Sequence, residues 1–474
     1  MNVKSQYSDS HKNQVILISE GKINIQIEKL NHKMNSYQSS LDFLYSLVDY
    51  SLTRHLRYSP EKFNLDRMRE LMRMLGNPHL KYPTIHIAGT KGKGSICAII
   101  SSVMAASGLK VGLYTSPHLQ EYTERIKING KEISKRKFIS LVESLKPQII
   151  KIKNLSTFEI TTALAFQFFL HETVDLAVIE VGLGGRLDAT NVVNPILSVI
   201  SSISKDHVKI LGNSLSKIAF EKAGIIKENV PVVISKQKPH VKVLLEKIAL
   251  QRNSPFVYSN DLVSYELIEQ NPYGQDFLIQ EKDGHSLKIH LPLIGAHQIQ
   301  NAMTAFSAIR CISKQGYQIS DRDIQKGFSK VKWPGRCEIL ATKPLLLIDS
   351  AHNTDSMLKL IHTIRTIFPD KKIIALFGAS EDKDIKGMLR ILLPAVNITI
   401  AAQSLHPRAM DANKILDSIK TIGFRGYSYH SLKKALAKAI QMWDDSSIII
   451  ATGSIFIAAA VREIWKNNKT KFQS

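Results

Sequence analysis

Ile85-His-Ile-Ala-Gly-Thr-Lys-Gly-Lys-Gly-Ser95 decides the fold of this chain. Apolar, strand-like residues run into a glycine-rich turn that carries a lysine. A helical pattern follows from Ile96 to about Ser107 and closes at Gly108. Strand, Gly-Lys loop and helix, in that order, form a cradle of backbone N–H groups and a helix N-terminus for nucleotide phosphates. Gly89, Gly92 and Gly94 permit a tight turn and close phosphate approach. Lys93 neutralises phosphate charge. The candidate ATP loop is therefore Gly89, Thr90, Lys91, Gly92, Lys93, Gly94 and Ser95. It departs from the common pattern, since two residues separate Gly89 from Gly92-Lys93 and Gly94 separates Lys93 from Ser95.

Outward from the loop, strand and helix patterns alternate. Strands are expected at 111–114, 175–181, 197–201 and 230–234, with helices at 158–170 and 215–223. This alternation implies a mostly parallel sheet covered on both faces. Helices are also expected from about Tyr37 to Leu75, interrupted near Ser59-Pro60. Residues 255–293 read as strand-rich, with turns at Asn271-Pro272 and Asp283-Gly284, and a helix follows His297 to about Ser313. After Trp333-Pro334-Gly335 a second alternating block begins, with strands at 345–348, 373–377, 397–401 and 447–451. The fold class is α/β: a P-loop ATPase-type domain over 34–313, a linker at 314–332, and a smaller Rossmann-like α/β domain over 333–474. Residues 1–33 read as an extension, either a small hairpin over 15–27 or a disordered tail.

At 474 residues the chain exceeds the size of a single growing core. No apolar run reaches the length of a membrane span. Cys97, Cys311 and Cys337 are isolated, which suits a reducing compartment, and a cytoplasmic location is expected. The net charge of +22 raises the question of a nucleic-acid partner. The lysines are spread along the chain without an arginine-rich tail or aromatic–basic repeat, so solvated surface charge with a local anion site is the better reading, with no nucleic acid and no membrane partner.

Polar residues cluster where strands end. Glu180 closes a buried strand beside the loop and suits Mg²⁺. Asp206-His207 follows another strand, although magnesium prefers oxygen to imidazole. Lys222 reads as a phosphate contact or a surface charge, because a protonated amine cannot bind a cation. In the second block Asp349, His352 and Asn353, then Asp382, and finally Ser454 follow strand ends, and Trp333–Arg336 lies at the boundary. Together these suggest a cleft between two domains.

These residues resemble the folylpolyglutamate synthase and dihydrofolate synthase family of the Mur ligase superfamily. The matching signatures include Gly89–Ser95, Ser116-Pro-His-Leu119, Val181 to Asn191, Asp206-His207, Glu221–Ile225, Asn301-Ala302, Trp333–Arg336 and Asp349–Asn353. The resemblance implies an ATP-dependent ligase that adds L-glutamate to tetrahydrofolate and to dihydropteroate through an acyl phosphate. It implies two magnesium ions, one held by Ser116 and Glu180, the other by Glu180, His207 and a carbamylated Lys222. It implies catalytic roles for Lys93, Lys222, His207 and His352, and nucleotide contacts from Asn301, Arg336 and Asp349. His352 and Ser454 resemble glutamate-site residues. Arg125 is read from its charge as an anchor for the acidic tail, and Asp188 resembles the pterin neighbour of bifunctional members. A monomer is the family default. Lys91 stands where many bacterial members carry Asn, and Ser350 replaces the usual Gly. Two other readings are another amino-acid ligase of the superfamily and a nucleotide-dependent nucleic-acid-binding protein. Neither accounts for Ser116–Leu119 or Trp333–Arg336.

Overall fold

The computed structural model describes residues 36–47 and 64–473. The hairpin expected at 15–27 and the break near Ser59-Pro60 lie outside them. Eight strands build the first sheet: β1 (Thr84–Ala88), β2 (Val111–Tyr114), β3 (Ile126–Ile128), β4 (Lys131–Glu132), β5 (Leu176–Glu180), β6 (Leu197–Ile200), β7 (Val232–Ile234) and β8 (Phe256–Tyr258). Their order is β4-β3-β2-β5-β1-β6-β7-β8. From β2 to β8 every neighbouring pair is parallel, while β3 and β4 form an antiparallel edge. Strand residues alternate between two cores, as period 2 requires. Leu176 and Val178 enter one, Ala177 and Ile179 the other. Burial of both faces explains why these strands read as continuous apolar runs.

The helix Lys93–Ala106 follows the phosphate loop and is buried along most of its length. Helix Ala296–Ser313 packs against it. So does helix Asp321–Ser329, inside the segment read as a linker. Ile324 and Phe328 of that helix are fully buried in the first core, and Gly327 lets it approach Val103 closely. The strand-rich region is a separate antiparallel sheet of β9 (Val263–Asn271), β10 (Gly274–Glu281) and β11 (Ser286–Leu291), in order β11-β10-β9.

The second block forms a sheet of β12 (Glu338–Thr342), β13 (Leu345–Ile348), β14 (Lys372–Phe377), β15 (Ile398–Ala402), β16 (Tyr427–Tyr429) and β17 (Ser447–Thr452), ordered β12-β13-β17-β14-β15-β16. All its pairs are parallel except β12–β13. Cores on both faces complete a Rossmann-like α/β layer arrangement. The fold is thus α/β with a large, mostly parallel sheet and a smaller C-terminal sheet. Carboxyl ends of strands in open α/β sheets gather ligands, and both sheets turn such ends toward a shared cleft.

Candidate active site between the two sheets

The loop's shape follows from its glycines. Gly92 adopts φ +87°, and a Cβ there would stand 2.1 Å from Asn301 Oδ1. Asn301 is in turn held by a hydrogen bond from its Nδ2 to Gln298 Oε1 at 3.0 Å. A Cβ on Gly94 would stand 2.4 Å from the ring of Trp333, so the boundary tryptophan lies directly on the start of the helix. Backbone bonds from Thr90 and Lys91 to Ser202 O fasten the loop to the exit of β6, and the Thr90 hydroxyl reaches Ser204 O. Ser95 is buried in the helix's first turn.

Glu180, the last residue of β5, is 5% exposed. Its Oε2 accepts from the Ser116 N–H at 3.1 Å, and its Oε1 lies 3.8 Å from Lys93 Nζ. Burial pushes this carboxyl's pKa up and Lys93 opposes that push. Lys222 is equally buried, donating to Gly89 O at 2.8 Å. Burial, aided by the charge of Lys93, lowers its pKa to about 7. Burial thus favours the free amine, the form that reacts with carbon dioxide. His207 stands in the left-handed region at φ +47°. The surrounding protein, then Lys383 and Lys93, pull its pKa to about 4 against Asp206, although half the ring meets solvent.

Asp206 and Lys91 together meet His352 of the second domain. Lys91 Nζ sits 3.0 Å from Asp206 Oδ2 and 3.0 Å from His352 Nε2. Burial raises the Asp206 carboxyl, but His352 and Lys91 outweigh it and hold the pKa well below the usual carboxylate range. Asp349, at the end of β13, accepts from Cys337 N at 2.9 Å and from Ala351 N at 2.8 Å. Its pKa is raised by burial and opposed by Arg336. The Ser350 hydroxyl donates to Gly335 O at 2.9 Å, tying the end of β13 to the Trp333–Arg336 turn. Ser454 is buried and caps the helix Ile455–Gln473, accepting from Ile457 N. A cleft of about 490 Å³ runs from Gly94, Ser116 and Glu180 past Arg336 to Arg462 and Lys466.

Two Mur ligase domain families match the chain: the middle domain over 87–309 and the glutamate ligase domain over 335–455. The dihydrofolate synthase/folylpolyglutamate synthase of Bacillus subtilis is 35% identical over 410 residues, covering 85% of this chain and 95% of that protein. This chain belongs to the folylpolyglutamate synthase/dihydrofolate synthase family. It is an ATP-dependent ligase of the Mur type. The Mycobacterium tuberculosis folylpolyglutamate synthase, solved with ADP and AMPPCP, superposes with a TM-score of 0.81 at 31% identity, covering 90% of this chain and 99% of that one. E. coli FolC, solved with DHPP and ADP, gives 0.80 at 28%, covering 92% and 99%.

Within this family frame, the loop, Glu180, Lys222, Asp206 and His352 converge, with Asn301 and Trp333 against the loop. Arg125 stands apart from that cluster. It donates to His118 Nδ1 at 2.9 Å and lies over the Tyr122 ring at 4.7 Å. Burial, then Arg125, lowers the His118 pKa to about 4. Asp188 is buried and accepts from Leu183 N at 2.8 Å and Thr190 N at 3.0 Å, capping a short 3-10 turn. Sequence reasoning missed the Asp206–Lys91–His352 bridge and the reach of Arg462 to Glu338 and Gln120. Asp206 carried a local signal in its strand-end position, whereas Arg462 carried none.

Proposed function

We propose that this ligase joins L-glutamate to the carboxylate of dihydropteroate and to the glutamate tail of tetrahydrofolate, each activated by ATP as an acyl phosphate. The observation that carries the reading is the cluster of Lys93, buried Glu180 and buried Lys222 on the phosphate loop, facing His352 of the second domain across Lys91. Phosphoryl transfer to a carboxylate brings two anions together, so fixed cations and N–H dipoles must offset the charge. Lys93 and the loop amides supply that field. The second domain brings His352 and Ser454 to the incoming glutamate, whose amine attacks the acyl phosphate.

The donor set fits magnesium. Glu180 is a buried carboxylate whose nearest cation stands beyond hydrogen-bond reach, and magnesium seeks oxygen ligands. The hydroxyls of Ser201 and Ser204 lie buried beside the loop without hydrogen-bond partners among the described residues. Ser116 and Glu180 would hold one ion, and Glu180, His207 and carbamylated Lys222 a second; when bound, these ions offset the charge between ATP and the acceptor carboxylate. A carbamate makes Lys222 an oxygen donor, and its depressed pKa favours that chemistry. Among the described residues no three His, Cys, Asp or Glu side chains converge, so a second site depends on the carbamate.

Asn301, Arg336 and Asp349 are assigned to the nucleotide, Arg125 to the acidic tail and Asp188 to the pterin side. Residues 34–313, together with the helix Asp321–Ser329 that packs into their core, form the ATP unit, and 333–474 the glutamate unit of a cytoplasmic monomer. Support for dual activity comes from the B. subtilis relative, which is named for both reactions. The Lacticaseibacillus casei relative, 33% identical, is named for polyglutamylation alone. Phosphate release from ATP and L-glutamate decides the matter, with dihydropteroate and tetrahydrofolate compared as acceptors. Turnover with both supports dual activity. Turnover with tetrahydrofolate alone overturns the dihydropteroate half and the role of Asp188. Turnover with neither overturns the folate reading.

A further inference from the structure

Lys91 is the one loop residue whose side chain crosses to the other domain by a hydrogen bond. Its backbone is pinned, because its N–H donates to Ser202 O and its carbonyl accepts from the Ser202 hydroxyl. Only the four-carbon side chain is free to travel. Nζ lies between Asp206 Oδ2 and His352 Nε2, 3.0 Å from each. His352 Nδ1 lies 2.9 Å from Ser350 O. A carbonyl only accepts, so Nδ1 carries the imidazole proton and Nε2 presents its lone pair to Lys91. That lone pair is an unprotonated base beside the phosphate loop, and the ammonium covers it. The same ammonium belongs to a loop built for phosphates, whose charge outweighs that of Asp206.

We propose that Lys91 is a positioning residue that covers the Nε2 lone pair of His352 until phosphate in the loop draws the ammonium away, so that His352 takes the proton of the incoming glutamate ammonium only after the nucleotide site is filled. This rests on the ligase reading above. The proton balance closes. Glutamate enters as an ammonium and gives one proton to His352 Nε2, making an imidazolium beside Asp206 Oδ2, 4.0 Å away. The neutral amine attacks the acyl carbon. The C–O bond to phosphate breaks as the C–N bond forms, and the second amine proton leaves with the phosphate as hydrogenphosphate. The arrangement orders the two substrates and keeps a neutral base from the acyl centre before ATP binds. A shorter side chain at this position, such as that of asparagine, could not span from the loop to His352.

Diethyl pyrocarbonate acylates an imidazole lone pair, so its rate at His352, read by peptide mass spectrometry against exposed His430, reports the cover without requiring turnover. Inorganic tripolyphosphate serves as the probe, since it fills the loop without an adenosine that would shield the cleft. We expect slow modification of His352 in the wild-type protein, accelerated about tenfold by tripolyphosphate, the factor one hydrogen bond from a charged donor is worth. Lys91→Met and Lys91→Asn should start at the fast rate and gain nothing from tripolyphosphate. Equal rates in wild type and both variants would overturn the cover. An unchanged or slower wild-type rate with tripolyphosphate would overturn its withdrawal and leave an ordinary interdomain ion pair. The wild-type arm stands even if a variant fails to fold. Ligation assayed on the same wild-type sample separates the two failures: no turnover with a protected His352 faults the ligase reading, and turnover with an unprotected His352 faults the cover.

Discussion

At the end of β5, Glu180 is buried with one backbone donor and a cation at 3.8 Å. At the end of β13, Asp349 is as deeply buried, yet two backbone N–H groups and a thiol already point at it. The same contrast holds for their neighbours. Around Glu180, burial forces the Lys222 pKa down to about 7, and the Ser201 hydroxyl has no partner among the described residues. Around Asp349, the Ser350 hydroxyl ties one turn to the next and Ser454 caps a helix. Burying an underpartnered charge is costly unless something else completes it. The first sheet therefore keeps the charges that a ligand completes. The second sheet spends similar residues on holding its loops in place.

If that contrast is right, substitutions beside the phosphate loop should strike chemistry, and those at outlying ties of the second domain, such as Arg462, should strike only stability. The largest effect is expected for Lys93→Ala. Ligation should fall by on the order of 10²–10³-fold, as for loss of one preorganised electrostatic donor, with the melting temperature unchanged. Wild-type turnover would break the comparison at its centre. Lys222→Ala should follow with a loss of about 10–100-fold, the scale of damage to a metal site. Short carboxylic acids should restore part of the activity by standing in for the carbamate, and full activity without them would remove Lys222 from the site.

Lys222 also predicts a pH dependence. Its folded pKa of about 7 lies below the ordinary 10.5, so above pH 7 the unfolded chain binds a proton that the folded chain does not. Stability should rise with pH from 7 toward 10.5, and Lys222→Met should flatten that slope. Urea titrations in carbon dioxide-free buffer at several pH values test it, and identical slopes would contradict the burial argument. Gly92→Ala should lower stability by about 1–2 kcal/mol from left-handed strain alone, with a further loss from the collision with Asn301. Denaturant midpoints and nucleotide affinity measure the two parts. The smallest effect belongs to Arg462→Ala, whose Nε meets Glu338 Oε1 at 2.9 Å in a partly buried pair. A loss of about 0.2–1 kcal/mol is expected, and a collapse in turnover would show that the second domain's edge does more than hold position.

Much of this was legible in the chain. Burial on both faces made β1, β5, β14 and β17 readable as apolar runs, and Gly89–Ser95 announced the loop. Pairs far apart in sequence were not legible. Lys91 and His352 are 261 residues apart, and nothing local to either shows that an ammonium will span two domains. Helix Asp321–Ser329 was read as linker because its nine residues carry few apolar positions. Ile324 and Phe328 are enough once Gly327 lets the backbones close on Val103. Asp188 was read for ligand chemistry, while the hydrogen bonds from Leu183 and Thr190 give it a folding task that a lone acid in sequence does not reveal.

The fit between Gly92 and Asn301 has a consequence for how the protein comes into being. One wall of the loop is a side chain that leaves the ribosome some two hundred residues later, on a helix that must first dock beside Lys93–Ala106. Such non-local closure comes late in folding. A growing chain that has made its phosphate loop but not yet residue 301 holds the loop's letters without its mould. ATP, by binding the completed loop, therefore favours the finished domain over a nascent form that lacks residue 301.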